Sequence, residues 1–149
     1  MGNVQILLRQ HVGAPCAAIV KAGDEVKKGT KIATPTGLGA NIFSSVYGVV
    51  EEVLEDRIII RPDEEQKDEF VPIEVEDEND KLAMVKEAGI VGMGGAGFPT
   101  GIKLGINLAE TEMAELDPEI NPELPADFKL EHSYILINAA ECEPGLEHN

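Results

Sequence analysis

Glycine spacing constrains the first half of this chain more than any other feature. From Gln5 to Val75 short apolar runs alternate with glycine, and no apolar run reaches the length of a helix. Val20-Lys21-Ala22-Gly23-Asp24-Glu25-Val26 sets a Gly-Asp turn between two valines, and a second turn follows at Lys28-Gly29. Gly37, Gly39 and Gly48 mark further turns, because glycine adopts positive φ without steric cost. Val46–Val53 and Ile58-Ile59-Ile60 are β-branched runs suited to a pleated, half-buried surface. Val71, Ile73 and Val75 alternate with Pro72, Glu74 and Glu76, a period of two that predicts one more strand with one buried face. Strands this short joined by tight turns predict a small all-β barrel or sandwich over residues 1–75.

Val20 to Ala33 resembles the first half of biotinyl and lipoyl carrier domains, through the pattern V-x-x-G-D-x-V-x-x-G. Those domains carry a modified lysine at the tip of the next hairpin. Here that hairpin falls within Thr34 to Ser45, and no lysine occurs between Lys31 and Lys67. Without an amine there is no carrier amide, so the resemblance extends to shape only: a barrel-sandwich hybrid.

Charge divides the chain in two. The formal net charge is −16, yet residues 1–62 carry seven Lys/Arg against six Asp/Glu. The acidity lies downstream, chiefly in 63–80 and in 110–131, which contains Pro118, Pro122 and Pro125. Such runs read as solvated linkers, or else as a docking surface for a basic partner. A chain this acidic is excluded as a general nucleic-acid binder and as an electrostatic ligand of anionic membrane. No stretch approaches the roughly 20 apolar residues of a membrane span, and the N-terminus has no basic-then-apolar leader pattern. Two cysteines build neither a disulfide framework nor an iron–sulfur site alone. A cytoplasmic, reduced compartment is the expectation.

Residues 76–80 form a polar linker. Asp80 is placed to cap a short helix carrying Leu82, Met84, Val85 and Ala88, and Gly89 to end it in a left-handed cap. The most informative stretch follows: Gly92, Gly94, Gly95 and Gly97 put four glycines in six positions. They remove side chains where a flat ring or a phosphate could approach the backbone. Pro99 suits the first turn of a helix whose free N–H groups would face an anion, and Lys103, one turn on, would add positive charge. The alternative is a tight turn with no ligand. Gly92-x-Gly94-x-x-Gly97 also matches the dinucleotide fingerprint. However, Ile90-Val91 is short for a central parallel strand, and Glu110, Glu112 and Glu115 do not end a predicted strand.

Tyr134-Ile135-Leu136-Ile137 predicts a buried strand ending in Asn138-Ala139-Ala140-Glu141-Cys142-Glu143-Pro144. Carboxyl ends of strands line ligand crevices in α/β folds. Asn138 can donate and accept, while Glu141 and Glu143 can accept from ribose or ribityl hydroxyls. The alternative for the glutamates is a solvated loop or a helix cap. Cys142 reads as structural, and neither Cys16 with His11 nor Cys142 with His148 forms a known metal spacing.

Together these motifs resemble a known family. Leu8-Arg9-Gln10-His11-Val12-Gly13-Ala14-Pro15, the Gly-Asp turn and Ser45-Val46-Tyr47-Gly48-Val49-Val50 resemble the N-terminal region of the RnfC family. Gly89–Thr100 and Asn138–Pro144 resemble its next region, and also the NADH-binding flavin subunit of respiratory complex I. The resemblance implies a two-part fold: a barrel-sandwich hybrid over 1–75, then over 81–149 the beginning of an α/β FMN- and NADH-binding domain. It implies electron transfer from NADH or a similar carrier through flavin and iron–sulfur centres to partner subunits. By position, the cofactor-binding residues would be Gly92, Gly94, Gly95, Gly97, Lys103, Asn138, Glu141 and Glu143. Met93 stands where the complex I subunit has arginine and Ala140 where it has aspartate, which weighs against NAD(H) more than against FMN.

Family members run on into cysteine-rich cluster motifs, and this chain has no C-x-x-C. The expectation is an N-terminal portion that does not turn over alone, with any iron–sulfur cluster in the part beyond it. Gly13-Ala14-Pro15-Cys16 and Gly37–Ile42 are most similar to family members associated with proline reductase, which would make that enzyme the acceptor. The location would be cytoplasmic, peripheral to a membrane complex. Two other functions compete: a non-catalytic partner-docking module, and a small Rossmann-type NAD-binding protein.

Overall fold

The computed structural model describes residues 2–105. Seven strands form: β1 (Val4–Leu7), β2 (Cys16–Ala18), β3 (Glu25–Val26), β4 (Lys31–Pro35), β5 (Ile42–Phe43), β6 (Gly48–Val53) and β7 (Arg57–Pro62). Two helices follow, α1 (Lys81–Glu87) and α2 (Thr100–Leu104). One sheet has the order β1-β7-β6-β3 and the other β2-β4-β5, with every pair antiparallel.

The β-branched runs found in the sequence build the first sheet. In β7, Ile58 and Ile60 are completely buried while Ile59 between them is partly exposed, the alternation of a one-sided strand. They pair with Ile6 and Val4 of β1, and a bulge between Val50 and Glu52 bends β6 across them. The second sheet answers with Cys16, Ile32, Ala33 and Ile42. Side chains from both sheets merge into one core, and each buried isoleucine contributes about 1.5–3 kcal/mol. This is a two-sheet sandwich rather than a closed barrel.

Local turn chemistry behaves as the sequence predicts at Gly23 (φ 92°) and Gly29 (φ 84°). It does not at Gly37, Gly39 and Gly48, none of which has positive φ. Two of these glycines answer a different need, close approach. A Cβ on Gly48 would stand 2.3 Å from the Arg61 carbonyl oxygen, and one on Gly39 would stand 2.6 Å from Cε1 of His11. The strand predicted over Val71–Val75 also fails to form. Val71 is exposed and its amide makes one bond to the Lys28 carbonyl, while Pro72 has no N–H to continue a ladder.

Helix α1 is capped as expected, with Asp80 Oδ1 accepting from the Ala83 amide at 2.8 Å. Gly89 (φ 65°) ends it, and a Cβ there would lie 2.3 Å from the Asn41 carbonyl oxygen. The helix end is thus pressed against the loop before β5. Asn41 Nδ2 donates to the Glu87 carbonyl at 3.0 Å, and Lys31 pairs with Glu87. These contacts carry the chain from the sandwich to the glycine loop in a defined position.

Candidate functional site

The glycine loop is a small closed hairpin. The Thr100 amide donates to the Ile90 carbonyl at 2.9 Å, Val91 bridges Pro99, and the Gly92 amide donates to the Phe98 carbonyl at 2.9 Å. Val91 therefore pairs locally with Pro99 and not with a parallel strand. Pro99 is the N-cap of α2 rather than a residue within its first turn. The Thr100 amide, one of those expected to face an anion, is already occupied.

The tip of the hairpin is different. Gly95 and Gly97 both have φ 61°, and a Gly97–Gly94 bond of 3.3 Å closes the turn. Among the described residues, the amides of Met93, Gly94, Gly95 and Ala96 have no hydrogen-bond acceptor. Successive unpaired N–H groups in such a turn make a cradle for an anion or a carbonyl oxygen. Among the described residues nothing lies within 4 Å of where a Gly95 Cβ would be.

The loop leans on the sandwich. The Val12 amide donates to the Ala96 carbonyl at 2.8 Å, and a Cβ on Gly97 would lie 3.2 Å from the Gln10 carbonyl oxygen. Between the two segments lies an open cleft of about 560 Å³, walled on one side by Arg9–Val12 and on the other by Gly92–Gly97. Its size is that of a small-molecule site. Of the residues named from sequence, Gly92, Gly94, Gly95 and Gly97 line it together. Lys103 does not: its Nζ stands 5.5 Å from the centre of the Phe98 ring, a cation–π placement. Asn138, Glu141 and Glu143, together with Cys142 and the strand predicted at 134–137, lie outside the described residues.

The sandwich wall contains residues that sequence spacing did not single out for a site. His11 is buried and braces its loop from both ring nitrogens. Nδ1 is 3.0 Å from the Val12 carbonyl, and Nε2 accepts the Ala40 amide at 3.1 Å. Cys16 Sγ lies 3.5 Å from Nε2. Burial pushes the Cys16 thiol up from its ordinary pKa by penalising the thiolate. Among the described residues no group of three or more His, Cys, Asp or Glu gathers to hold a metal. The His11–Cys16 pair braces the loop against Ala40. The only clue in the sequence was the glycine- and proline-containing loop that returns Cys16 toward His11.

The cleft fits a flat phosphorylated cofactor on three counts: amides without acceptors among the described residues, glycine at four of the six loop positions, and room between two walls. Comparison with known proteins agrees. Residues 1–78 match the family described as the RnfC barrel sandwich hybrid domain, and residues 85–149 match the Nuo51 FMN-binding domain. The chain is 36% identical over 161 aligned residues to a subunit of the proton-translocating ferredoxin:NAD(+) oxidoreductase complex of Clostridium ljungdahlii, covering 97% of this chain and 30% of that protein. It is 34% identical to a subunit of the Na(+)-translocating ferredoxin:NAD(+) oxidoreductase complex of Acetobacterium woodii, covering 96% and 31%. It is 35% identical to a subunit of the ion-translocating oxidoreductase complex of Rhodobacter capsulatus, covering 96% and 27%. The chain thus spans about a third or less of the length of these relatives. An RnfC-type sandwich leading into the beginning of a Nuo51-type FMN-binding domain makes this chain a member of the RnfC family.

Proposed function

We propose that this chain forms the flavin-holding entry of an electron-transfer subunit, receiving electrons from NADH or a similar carrier and passing them to partner subunits. One observation carries this reading: the amides of Met93–Ala96, without acceptors among the described residues, belong to a cleft wall that is glycine at four of six positions, with the sandwich as the other wall. FMN, when bound, can exchange an electron pair with a hydride donor and single electrons with a cluster. The chain's own residues would bind and orient it. Gly92, Gly94, Gly95 and Gly97 let a ring approach the backbone, and their neighbouring amides donate to it. Lys103, held over Phe98, adds positive charge beside the loop. Asn138, Glu141 and Glu143 would hold hydroxyls.

The division into 1–75, 76–80 and 81–149 belongs to the same proposal, supported by family matches that leave 79–84 between them. Iron–sulfur centres and NAD(H) chemistry would be completed by the longer protein that the relatives represent. The relatives named above carry ferredoxin and NAD(+) in their names. A proline reductase as acceptor rests on the Gly13–Cys16 and Gly37–Ile42 likeness alone. No helix among the described residues is long and apolar enough to cross a membrane.

The test is flavin binding by the native protein. Micromolar affinity for FMN, about −8 kcal/mol, is the expected result, and it should fall at least tenfold in Gly95→Val. A native protein that neither contains nor binds FMN would overturn the proposal.

A further inference from the structure

The cleft has two walls, and the second belongs to the sandwich. Arg9 follows directly after buried Leu8 and stands two residues before buried His11. The loop it opens is pinned at its base, where the Leu8 amide donates to the Asp56 carbonyl and the Leu8 carbonyl accepts from the Cys16 amide, both at 2.8 Å. It is pinned again at Val12 by Ala96 and at Ala14 by the Leu38 carbonyl. The backbone under Arg9 is therefore fixed, while its side chain is exposed on the cleft.

Among the described residues that line the cleft, Arg9 is the one permanently charged group, and none of them is a carboxylate. Among the described residues its guanidinium has no ion-pair partner. Across the cleft stand the unpaired amides of Met93–Ala96. An arginine on a pinned backbone, set across the cleft from these amides, gathers positive potential on both walls. A guanidinium fork matches phosphate oxygens in two parallel hydrogen bonds, which an ammonium cannot do.

Resting on the flavin-site reading above, we propose that Arg9 of the sandwich receives the phosphate of the nucleotide cofactor held by the glycine loop. The cofactor site would then be shared between the two parts of the chain, and the sandwich would be a binding wall rather than only a spacer. His11 would act as a positioning residue, since it holds the loop on which Arg9 stands.

The test compares Arg9→Gln with the unchanged native protein, using FMN, riboflavin and NADH as probes. Riboflavin has the same ring without the phosphate. Loss of one charge-assisted bidentate contact should raise the FMN dissociation constant about tenfold or more and leave riboflavin within about twofold. Arg9→Lys should fall between. If FMN binding is unchanged but the NADH dissociation constant rises tenfold, the phosphate is that of the dinucleotide and the assignment of Arg9 stands. Equal weakening of FMN and riboflavin would overturn it, as would no change for FMN and NADH while Gly95→Val abolishes FMN binding. Failure of the unchanged protein to bind any of the three would overturn the flavin reading itself, a result distinct from the last two.

Discussion

Cys16 Sγ lies 3.5 Å from His11 Nε2, and both atoms also approach the carbonyl oxygen of Ala40, at 3.3 and 3.2 Å. With the ring proton on Nδ1 facing the Val12 carbonyl, Nε2 is free to accept the Ala40 amide. One imidazole thus ties the Leu8–Pro15 loop to the β4–β5 loop. A Cβ on Gly97 would stand 3.5 Å from the Cα of the same histidine. The brace lies directly beneath the proposed cofactor cleft.

Replacing His11 by alanine should therefore cost about 2–4 kcal/mol of stability, since it leaves a cavity and strips the Ala40 amide of its acceptor. Gly39→Ala should cost about 1–3 kcal/mol by forcing a methyl against His11 Cε1 and Pro35 Cβ. The double variant discriminates the cause. With the imidazole gone the Gly39→Ala penalty should shrink, giving a favourable coupling in urea unfolding of the full chain. Strict additivity would show that the two residues do not meet.

Cys16 should resist alkylation in the folded protein. Its side chain is buried, and its pKa is raised above the ordinary value of 9.0, so the reactive thiolate is depleted. The same shift has a sign for stability. The folded state holds this proton more tightly than the unfolded state, so the contribution is complete below the unfolded pKa. It is lost as pH rises from there through the raised folded value. Iodoacetamide labelling with peptide mapping, which separates Cys16 from Cys142, should show Cys16 modified only after denaturation. A Cys16→Ala variant should lose less stability on passing above pH 9 than the unchanged protein.

Two helix-end variants should behave differently although both touch α1. Asp80→Ala removes a side-chain cap of 2.8 Å and should cost about 1 kcal/mol while leaving the helix docked. Gly89→Ala meets both a φ of 65° and the Asn41 carbonyl, so the helix end must lift from the β5 side. Hydrogen exchange should show amides of α1 and of the glycine loop opening together in Gly89→Ala, and fraying confined to the first turn of α1 in Asp80→Ala.

Lys103 should matter less to cofactor affinity than Arg9. It is exposed, outside the cleft lining, and spends its charge on the Phe98 ring at 5.5 Å. An exposed cation–π contact is worth about 0.5–1 kcal/mol. Lys103→Gln should change FMN affinity by less than about threefold in a flavin fluorescence titration. A change as large as that of Arg9→Gln would place Lys103 at the phosphate instead.

What could be read from the sequence was whatever a few neighbouring residues decide among themselves. Gly23 and Gly29 take positive φ, Asp80 caps α1, Gly89 stops it, and Ile58 and Ile60 face one way, because each outcome depends on φ, ψ and side-chain reach within a few residues. The glycine loop was legible for a related reason, since Gly95 and Gly97 take positive φ within one tight turn. Tertiary structure decided the rest. The period of two at Val71–Val75 found no partner strand, and Gly39 and Gly48 proved to answer contacts across the fold rather than turns. His11 and Cys16 meet because a pinned loop folds back on itself, and Arg9 faces Gly92–Gly97 only because Asn41 and Val12 hold the second part of the chain against the sandwich. The contacts that dock the glycine loop join residues far apart in the chain, 46 positions for Asn41 and Glu87. Neither partner has any local preference that anticipates the other, so docking of the glycine loop on the sandwich, not spacing along the chain, brings the cleft into being.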